Sequence, residues 1–331
     1  MERDMKGENN MEPYRIDVPV ALIFFNRPEP LREVFDAIKE ARPSKLFLIQ
    51  DGAREARPND ELNIKKCKDI VAEIDWECEV YRNYSETNLG CGMRIYSGIS
   101  WCFEHVDRLC IIEDDCKPTI DYFKFCEELL EKYKDDQRID MISGMNNLET
   151  YDVTPYSYIF ARTGSIWGWA TWKRVWDTVD YDLSFMEDED AIRLIKNLIK
   201  PRRIANDLIK NGKKKYDVLK TGGKLTSWSY QKGINTYLHH GLIIVPHKNL
   251  VTNIGLTDDS VHAVNSIKKI PKATQKLFYM KTYKLDFPLK HPKYIVQDVE
   301  FDRKLNKIMN PNKVVAMKRR IESLIRRIIF K

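Results

Sequence analysis

The 331-residue sequence has no apolar stretch near the length of about 18 residues that crossing a membrane requires. Its opening residues, Met1-Glu2-Arg3-Asp4, lack the apolar core of a secretory signal. These absences predict a cytoplasmic protein, with peripheral attachment to the inner face of a membrane left open.

The sequence also lacks paired cysteines. Its seven cysteines lie between Cys67 and Cys126, an odd number with neither C-x-x-C spacing nor a matching histidine cluster. This pattern argues against a disulfide framework and a zinc site, and it predicts reduced thiols. The chain is 43% apolar and has no internal repeat, so it can bury a substantial core.

Net positive charge is absent outside one segment. The net charge of +6 is carried by residues 313–331, which hold seven cations and one anion, so the preceding residues are neutral overall. A neutral body argues against nucleic acid as a partner, because phosphate binding needs a concentrated cationic face.

The cationic segment 313–331 has apolar residues at helical spacing, opposite most of its cations. The pattern predicts a basic amphipathic tail helix, which is typical of proteins that bind an anionic membrane surface. A helix packed on the body, or one that binds a partner, remains an alternative.

Short apolar runs alternate with helical patterns along the chain. The run Val18–Phe25 predicts a buried strand, Asn26-Arg27-Pro28 a turn, and residues 29–41 a helix. Further strands are predicted at residues 45–50, 78–81, 108–112, 139–143 and 241–246. The fold class is α/β, a mixed and mainly parallel sheet with helices on both faces and a C-terminal helical extension. Ligands of such sheets bind at the carboxyl ends of the strands.

Three consecutive carboxylates, Glu113, Asp114 and Asp115, follow a predicted strand directly. They repel one another, and a divalent cation bound to phosphate oxygens would relieve the repulsion, since Mg²⁺ and Mn²⁺ prefer carboxylate ligands. Alternatively, Asp115 caps a helix that begins near Pro118. A cap needs only one acid, so the triplet favours the metal.

The turns after the first two strands also carry polar groups. Arg27 has a donor fork suited to a phosphate or a base edge, and Asp51 can accept a hydrogen bond from a base or a ribose. Ordinary turn chemistry is the alternative for each residue.

In their order, these motifs resemble the GT-A fold nucleotide-sugar glycosyltransferases, in particular the N-acetylglucosaminyltransferase I type and a bacterial haemolytic-protein-like group. The resemblance covers about residues 18–262 and rests on five motifs: Phe25-Asn26-Arg27-Pro28, Gln50-Asp51-Gly52, Asn88-Leu89-Gly90, Glu113-Asp114-Asp115 and Trp167-Gly168-Trp169. It implies a GT-A domain (17–265). The polar residues before it predict a flexible N-terminus (1–16), and a less regular C-terminal extension (266–312) and the tail (313–331) follow it.

The resemblance also implies roles for individual residues. Asp115 would bind Mn²⁺ or Mg²⁺, and His262 would complete the metal or diphosphate site. Asp114 would contact the ribose, and Glu113 would support the loop. The nucleotide-binding residues would be these two together with Asn26, Arg27, Asp51 and Gly52. The donor sugar and acceptor would be lined by Trp167, Gly168 and Trp169, although a core role for the tryptophans stays open.

The sequence departs from the family at Ser229. Related sequences read Trp-Asp-Tyr-Gln where this chain has Trp-Ser-Tyr-Gln, and the missing Asp is the general base. Three alternatives follow: Asp217 or Asp259 acts as the base, the reaction is retaining and uses no enzymic base, or the protein is catalytically impaired.

The implied function is transfer of a sugar from a nucleoside-diphosphate donor, UDP-linked by preference, to a hydroxyl of a glycan or lipid-linked acceptor in cell-surface polysaccharide assembly. One alternative is an impaired nucleotide-sugar-binding protein at the membrane. Another is a sugar nucleotidyltransferase, a class that usually begins with a glycine-rich phosphate loop, where this chain has Asn26-Arg27-Pro28-Glu29.

Overall fold

The computed structural model describes residues 15–256 and 267–330. Within these ranges the chain forms ten strands: β1 (Val20–Phe24), β2 (Lys45–Gln50), β3 (Glu79–Tyr84), β4 (Arg108–Glu113), β5 (Cys116–Pro118), β6 (Ile139–Ser143), β7 (Tyr158–Ala161), β8 (Trp169–Trp172), β9 (Leu242–Pro246) and β10 (Val251–Asn253). The same ranges contain eleven α-helices: α1 (Pro28–Ala41), α2 (Asp60–Val71), α3 (Cys91–Cys102), α4 (Ile120–Lys132), α5 (Lys173–Trp176), α6 (Glu189–Leu198), α7 (Arg202–Lys220), α8 (Ser229–Leu238), α9 (Lys272–Gln275), α10 (Val299–Met309) and α11 (Lys313–Ile329).

Eight strands form one sheet in the order β3-β2-β1-β4-β8-β6-β9-β7. β1 pairs in parallel with both β2 and β4, and β6 pairs in parallel with β9. β8 and β7 run against their neighbours, so six strands share one direction. The predicted mixed, mainly parallel sheet is confirmed.

Hydrophobic clusters cover both faces of this sheet. Successive side chains of a strand point to opposite faces, so Leu22 of β1 joins one cluster and Ile23 joins the other. α1 and α4 pack on the first face, for example through Phe35 and Phe123, and α3 packs on the second. The prediction of helices on both faces is confirmed.

A third, smaller cluster joins α6, α7 and α8. Its buried residues include Ile195 of α6, Ile209 of α7 and Ile234 of α8. This helical layer positions the start of α8, which carries Ser229.

The described part of the C-terminal extension is integrated into both main clusters. Leu277 and Leu285 are buried in the first cluster, and Phe301 of α10 is fully buried in the second. Gln297 also forms a bridge to Phe160 of β7. The body therefore includes this segment, and the division of the chain into four segments stays a prediction.

The tail forms the helix α11, whose first turn is capped by Asn312 through a 3.0 Å bond from the Val315 N–H. Its polar side contacts the body, since Arg326 donates to the Lys268 carbonyl and Glu322 accepts from the Lys272 N–H. Its large apolar residues stay exposed, with exposed fractions from 38% at Val315 to 70% at Ile328. No helix in the described ranges has the length and apolarity needed to cross a membrane.

Candidate functional site

Arg27 and two of the predicted acidic residues meet where β1 and β4 end. Arg27 forms an ion pair with Asp114, and its Nη1 lies 3.1 Å from Asp115 Oδ2. The Phe25 N–H donates to Asp114 Oδ2 at 3.2 Å. The parallel pairing of β1 with β4 brings these groups together, because both strands end at the same edge of the sheet. We call this edge, with Arg27, Asp51, Glu113, Asp114 and Asp115, the acidic edge.

Carboxyl groups outnumber cations at the acidic edge. Burial and the neighbouring carboxylates of Asp115 and Asp114 raise the pKa of Glu113 to about 8. Burial also raises the pKa of Asp114, although Arg27 opposes this shift. Burial alone would lower the pKa of Arg27, but the two aspartates more than offset it and raise the pKa. By count, the edge has four carboxyl groups, on Asp51, Glu113, Asp114 and Asp115, and one guanidinium paired with two of them.

Asp115 is held by the segment that follows β10. Asn253 Nδ2 lies 3.3 Å from Asp115 Oδ1, and the Ile254 N–H donates to the Asp115 carbonyl at 2.8 Å. A Cβ on Gly255 would come within 3.0 Å of the Asp115 carboxylate, so only glycine permits this approach. The antiparallel pairing of β10 with β5 produces the arrangement.

The alternative role of Asp115 as a helix cap is wrong. The helix after the triplet, α4, begins at Ile120, and Thr119 caps it through its hydroxyl and the Tyr122 N–H. β5 separates Asp115 from that cap. The carboxylate of Asp115 therefore has no role in starting α4.

Asp51 is committed to its own loop. Its carboxylate accepts hydrogen bonds from the backbone N–H groups of Gly52, Leu89 and Gly90, at 2.9–3.0 Å. Gly52 is packed so tightly that a Cβ would come within 3.0 Å of the Thr87 backbone. Asp51 thus fixes the loop that leads into α3, and a base or ribose would have to share oxygens that already accept three bonds.

Asn26 contacts Asp60, an acid outside the five sequence motifs. Its Nδ2 donates to Asp60 Oδ1 at 2.7 Å, and Arg54 binds the same carboxylate through Nε and Nη2. The Arg54 guanidinium lies 5.1 Å from the centre of the Phe25 ring. In the sequence, Arg54 and Asp60 are two opposite charges shortly after Asp51, and such pairs are too common to identify a site. Arg54 adds a partly exposed cation beside the acidic edge.

The Trp-Gly-Trp motif divides between surface and core. Trp167 is partly exposed and its ring packs against Phe278. Gly168 has a positive φ of 66°, and a Cβ there would meet Val251. Trp169 is fully buried and stacks on Trp228, which makes its ring part of the core. Of the two tryptophans, Trp167 alone presents surface to a ligand.

Ser229 stands at the first position of α8, and its hydroxyl lies 2.7 Å from that of Ser227. The preceding Leu225 packs against Gly92 in the first turn of α3, next to the loop held by Asp51. Asp217 is exposed on α7 and pairs with Lys213 at 3.0 Å. The other proposed base, Asp259, and the proposed metal ligand His262 lie outside the described residues.

The acidic edge meets two requirements of a divalent cation. Asp115 and Glu113 supply the hard oxygen donors that Mg²⁺ and Mn²⁺ prefer, and the triplet has one paired cation, Arg27, for its three carboxyl groups. The described ranges contain no group of three His, Cys, Asp or Glu side chains arranged to hold a metal ion. A cation here would be completed by its other ligands, as is usual for Mg²⁺, which keeps waters and substrate phosphates.

No family model and no curated protein matches the chain. Among solved structures it is similar to the mannosyltransferase PcManGT from Pyrobaculum calidifontis in complex with GDP-Man and Mn²⁺, with 11% identity and a TM-score of 0.33 over 49% of this chain and 46% of that one. It is also similar to S. aureus TarS 1–349, with 9% identity and a TM-score of 0.38 over 89% and 71% of the two chains.

A third similar structure is GalNAc-T7 with UDP, GalNAc and Mn²⁺, with 9% identity and a TM-score of 0.43 over 76% of this chain and 46% of that one. The chain thus spans less than half the length of PcManGT and GalNAc-T7.

Proposed function

We propose that this chain is a metal-dependent glycosyltransferase of the GT-A type, which uses a nucleoside-diphosphate sugar, preferably UDP-linked, and Mn²⁺ or Mg²⁺. The observation that carries the proposal is the meeting of Arg27, Asp114 and Asp115 at the carboxyl edge of a mainly parallel sheet. Further support comes from the motifs of the resemblance that do not contain these residues, Gln50-Asp51-Gly52, Asn88-Leu89-Gly90 and Trp167-Gly168-Trp169.

Excess negative charge is the reason to expect a metal with the donor. A diphosphate approaching the acidic edge would be repelled by its carboxylates unless a cation accompanied it. Asp115, with Glu113 beside it, would hold that cation, whose chemistry when bound is to neutralise charge that develops on the leaving diphosphate. Arg27 orients both aspartates, and Asp51 holds the loop before α3 where the nucleotide would lie.

The test is calorimetric titration of the full chain with UDP, with and without Mn²⁺. We expect binding that depends on Mn²⁺, and we expect Asp115→Asn to weaken it by about 100-fold or more, because the variant removes a charged ligand from the cation. The matched control is Asp69→Asn, an exposed acid of α2 paired with Lys65. Absence of UDP binding, or equal binding by Asp115→Asn, would disprove the proposal.

A second candidate function is nucleotide-sugar binding without transfer, and the position of Ser229 favours it. The hydroxyl partner of Ser229 is Ser227, which cannot accept a proton from an acceptor hydroxyl at neutral pH. Asp217 is ion-paired on the exposed side of α7. Turnover of a UDP-sugar panel with glycan and lipid-linked acceptors separates the two functions: binding with neither transfer nor hydrolysis identifies the binding protein.

We further propose that α11 attaches the protein to an anionic membrane surface, on which a lipid-linked acceptor for polysaccharide assembly would lie. Support comes from its exposed apolar residues and its cations, each of which contributes about 1 kcal/mol near such a surface. The full chain should sediment with vesicles of phosphatidylglycerol and phosphatidylcholine, but not with phosphatidylcholine alone.

The variant for this test replaces three exposed cations of α11 by glutamate, at Lys318, Arg320 and Arg327. It should remain in the supernatant and still bind UDP. The control places three glutamates at exposed lysines elsewhere, Lys65, Lys66 and Lys214. Equal loss of sedimentation in both variants would show that net charge, rather than α11, binds the vesicles.

A further inference from the structure

A cavity of about 910 Å³ lies away from the acidic edge. It is bounded by the junction of α6 with α7, by α10 and by the start of α11, and its lining includes Ile204, Val299 and Val315. Its volume is in the upper part of the range for small-molecule sites, about 300–1,000 Å³. None of its lining residues belongs to the acidic edge.

The charged side chains of this cavity are mostly cationic: Arg162, Lys200, Arg203, Arg303 and Lys307. The acid in the lining, Asp302, is already satisfied by the N–H groups of Arg162 and Thr163 and by Gln297 Nε2. α7 also begins at the cavity, without a side-chain cap, and helix N-termini attract anions. The cavity is therefore complementary to a negatively charged ligand.

Arg162 gives this complementarity a specific position. Its Nη1 is buried and has no hydrogen-bond partner among the described residues. A buried donor without an acceptor is costly, and for a charged group the cost is larger. Arg162 as a whole is partly exposed and lines the cavity, so an anionic group there would be attracted to its positive charge.

The rest of the lining is apolar. Leu198, Ile199 and Ile204 line it from the α6–α7 junction, and Val299 and Val315 line it from α10 and α11. Val299 is 66% exposed, although it faces the cavity. A purely hydrophilic anion would leave this surface uncovered, whereas an alkyl chain would bury it.

We propose that this cavity binds one anionic lipid, with the phosphate at Arg162 and the alkyl chain along Ile204, Val299 and Val315. The site is independent of the nucleotide site, since no residue is shared. It also differs from attachment through the surface of α11, because it takes a single lipid molecule into the body.

The test is calorimetric titration of the full chain with dodecyl phosphate, kept below the concentration at which it forms micelles. Two parallel titrations use inorganic phosphate, which lacks the alkyl chain, and dodecyl maltoside, which lacks the negative charge. We expect dodecyl phosphate to bind at one site, at least tenfold more tightly than either of the other two. Inorganic phosphate binding as tightly would overturn the lipid assignment, and dodecyl maltoside binding as tightly would overturn the anion assignment.

Variants locate the site. Arg162→Gln should weaken dodecyl phosphate binding by about tenfold or more. Val299→Glu should do the same by placing a carboxylate at the cavity, and an acid is tolerated in the first turn of a helix, so the variant should fold. The matched control is Val296→Glu, at an equally exposed residue outside the lining. Unchanged binding by Val299→Glu, or equal loss in the control, would overturn the proposal.

Discussion

Carboxylates near the strand ends differ in role according to the groups that meet them. Asp51 accepts three backbone N–H groups, Asp114 pairs with Arg27, and Asp60 joins Asn26 to Arg54. Asp51 and Asp60 organise loops around the acidic edge, whereas Asp115 is the acid best placed to meet a cation. Replacing one of these acids by the amide should therefore have different effects at different positions.

Asp60 makes stability depend on pH. The hydrogen bond from Arg54, followed by those from its backbone and from Asn26, lowers the pKa of Asp60 against the opposing effect of burial. Its stabilising contribution is therefore present above its unfolded pKa of about 4 and is lost as the pH falls through the lower folded value. Asp60→Asn should reduce the free energy of unfolding at pH 7 and reduce it less at pH 3.

The measurement is urea unfolding of both proteins between pH 3 and pH 7. Asp69→Asn serves as the control, because Asp69 is exposed and its partner Lys65 is a surface residue. A difference between wild type and Asp60→Asn that stays constant over this range would show that the carboxylate charge does not contribute.

At the scale of elements, two helices near the site begin by different means. α3 starts after Gly90, whose φ of 80° suits glycine and whose N–H is bound by Asp51. α4 starts at the cap Thr119. The start of α3 belongs to the loop where the nucleotide is proposed to lie, whereas the start of α4 has a structural role.

This difference separates stability from binding. Thr119→Ala should lower the free energy of unfolding by about 1 kcal/mol, because one N–H of the first turn of α4 loses its acceptor. The same variant should leave Mn²⁺-dependent UDP binding unchanged. Asp115→Asn should weaken UDP binding in calorimetry and leave the free energy of urea unfolding nearly unchanged. If Thr119→Ala lost as much UDP binding as Asp115→Asn, stability and binding would not be separable in this way.

For the whole molecule, the segment after residue 266 supports the core. Phe301 is fully buried in the cluster on the second face of the sheet and packs edge-to-face on Tyr151. Phe301→Ala should lower the free energy of unfolding by about 3–5 kcal/mol, since it leaves a cavity in that cluster. Val296→Ala, at an exposed position, is the control. If Phe301→Ala changed the free energy of urea unfolding as little as this control does, the segment would not contribute to the stability of the core.

Much of the fold was predictable because its signals are local. The apolar run before Asn26 and the helical spacing of Leu31, Val34 and Phe35 identified β1 and α1 within a few residues. The insertion of β8 between β4 and β6 was not predictable, because it depends on pairings of Trp169 with Ile111 and Ser143 that local patterns do not encode.

The same limit applies to the site. The triplet Glu113-Asp114-Asp115 and Arg27 could be identified because they directly follow predicted strands. The commitment of Asp51 to Leu89 and Gly90 could not, since those N–H donors lie 38 and 39 positions away. The burial of Arg162 Nη1 without a hydrogen-bond partner likewise depends on tertiary packing, which local patterns do not encode.

The pairing of β5 with β10 also orders events during protein synthesis. Cys116 and its partner Asn253 are 137 positions apart. The contacts that hold Asp115 therefore cannot form until more than a hundred later residues have left the ribosome. Contacts of such separation form late, because closing a long loop costs entropy before the pairing is gained. A nascent chain halted before residue 251 would contain the residues of β1, β2 and β4, but it would lack the support of Asn253 and Gly255 for Asp115.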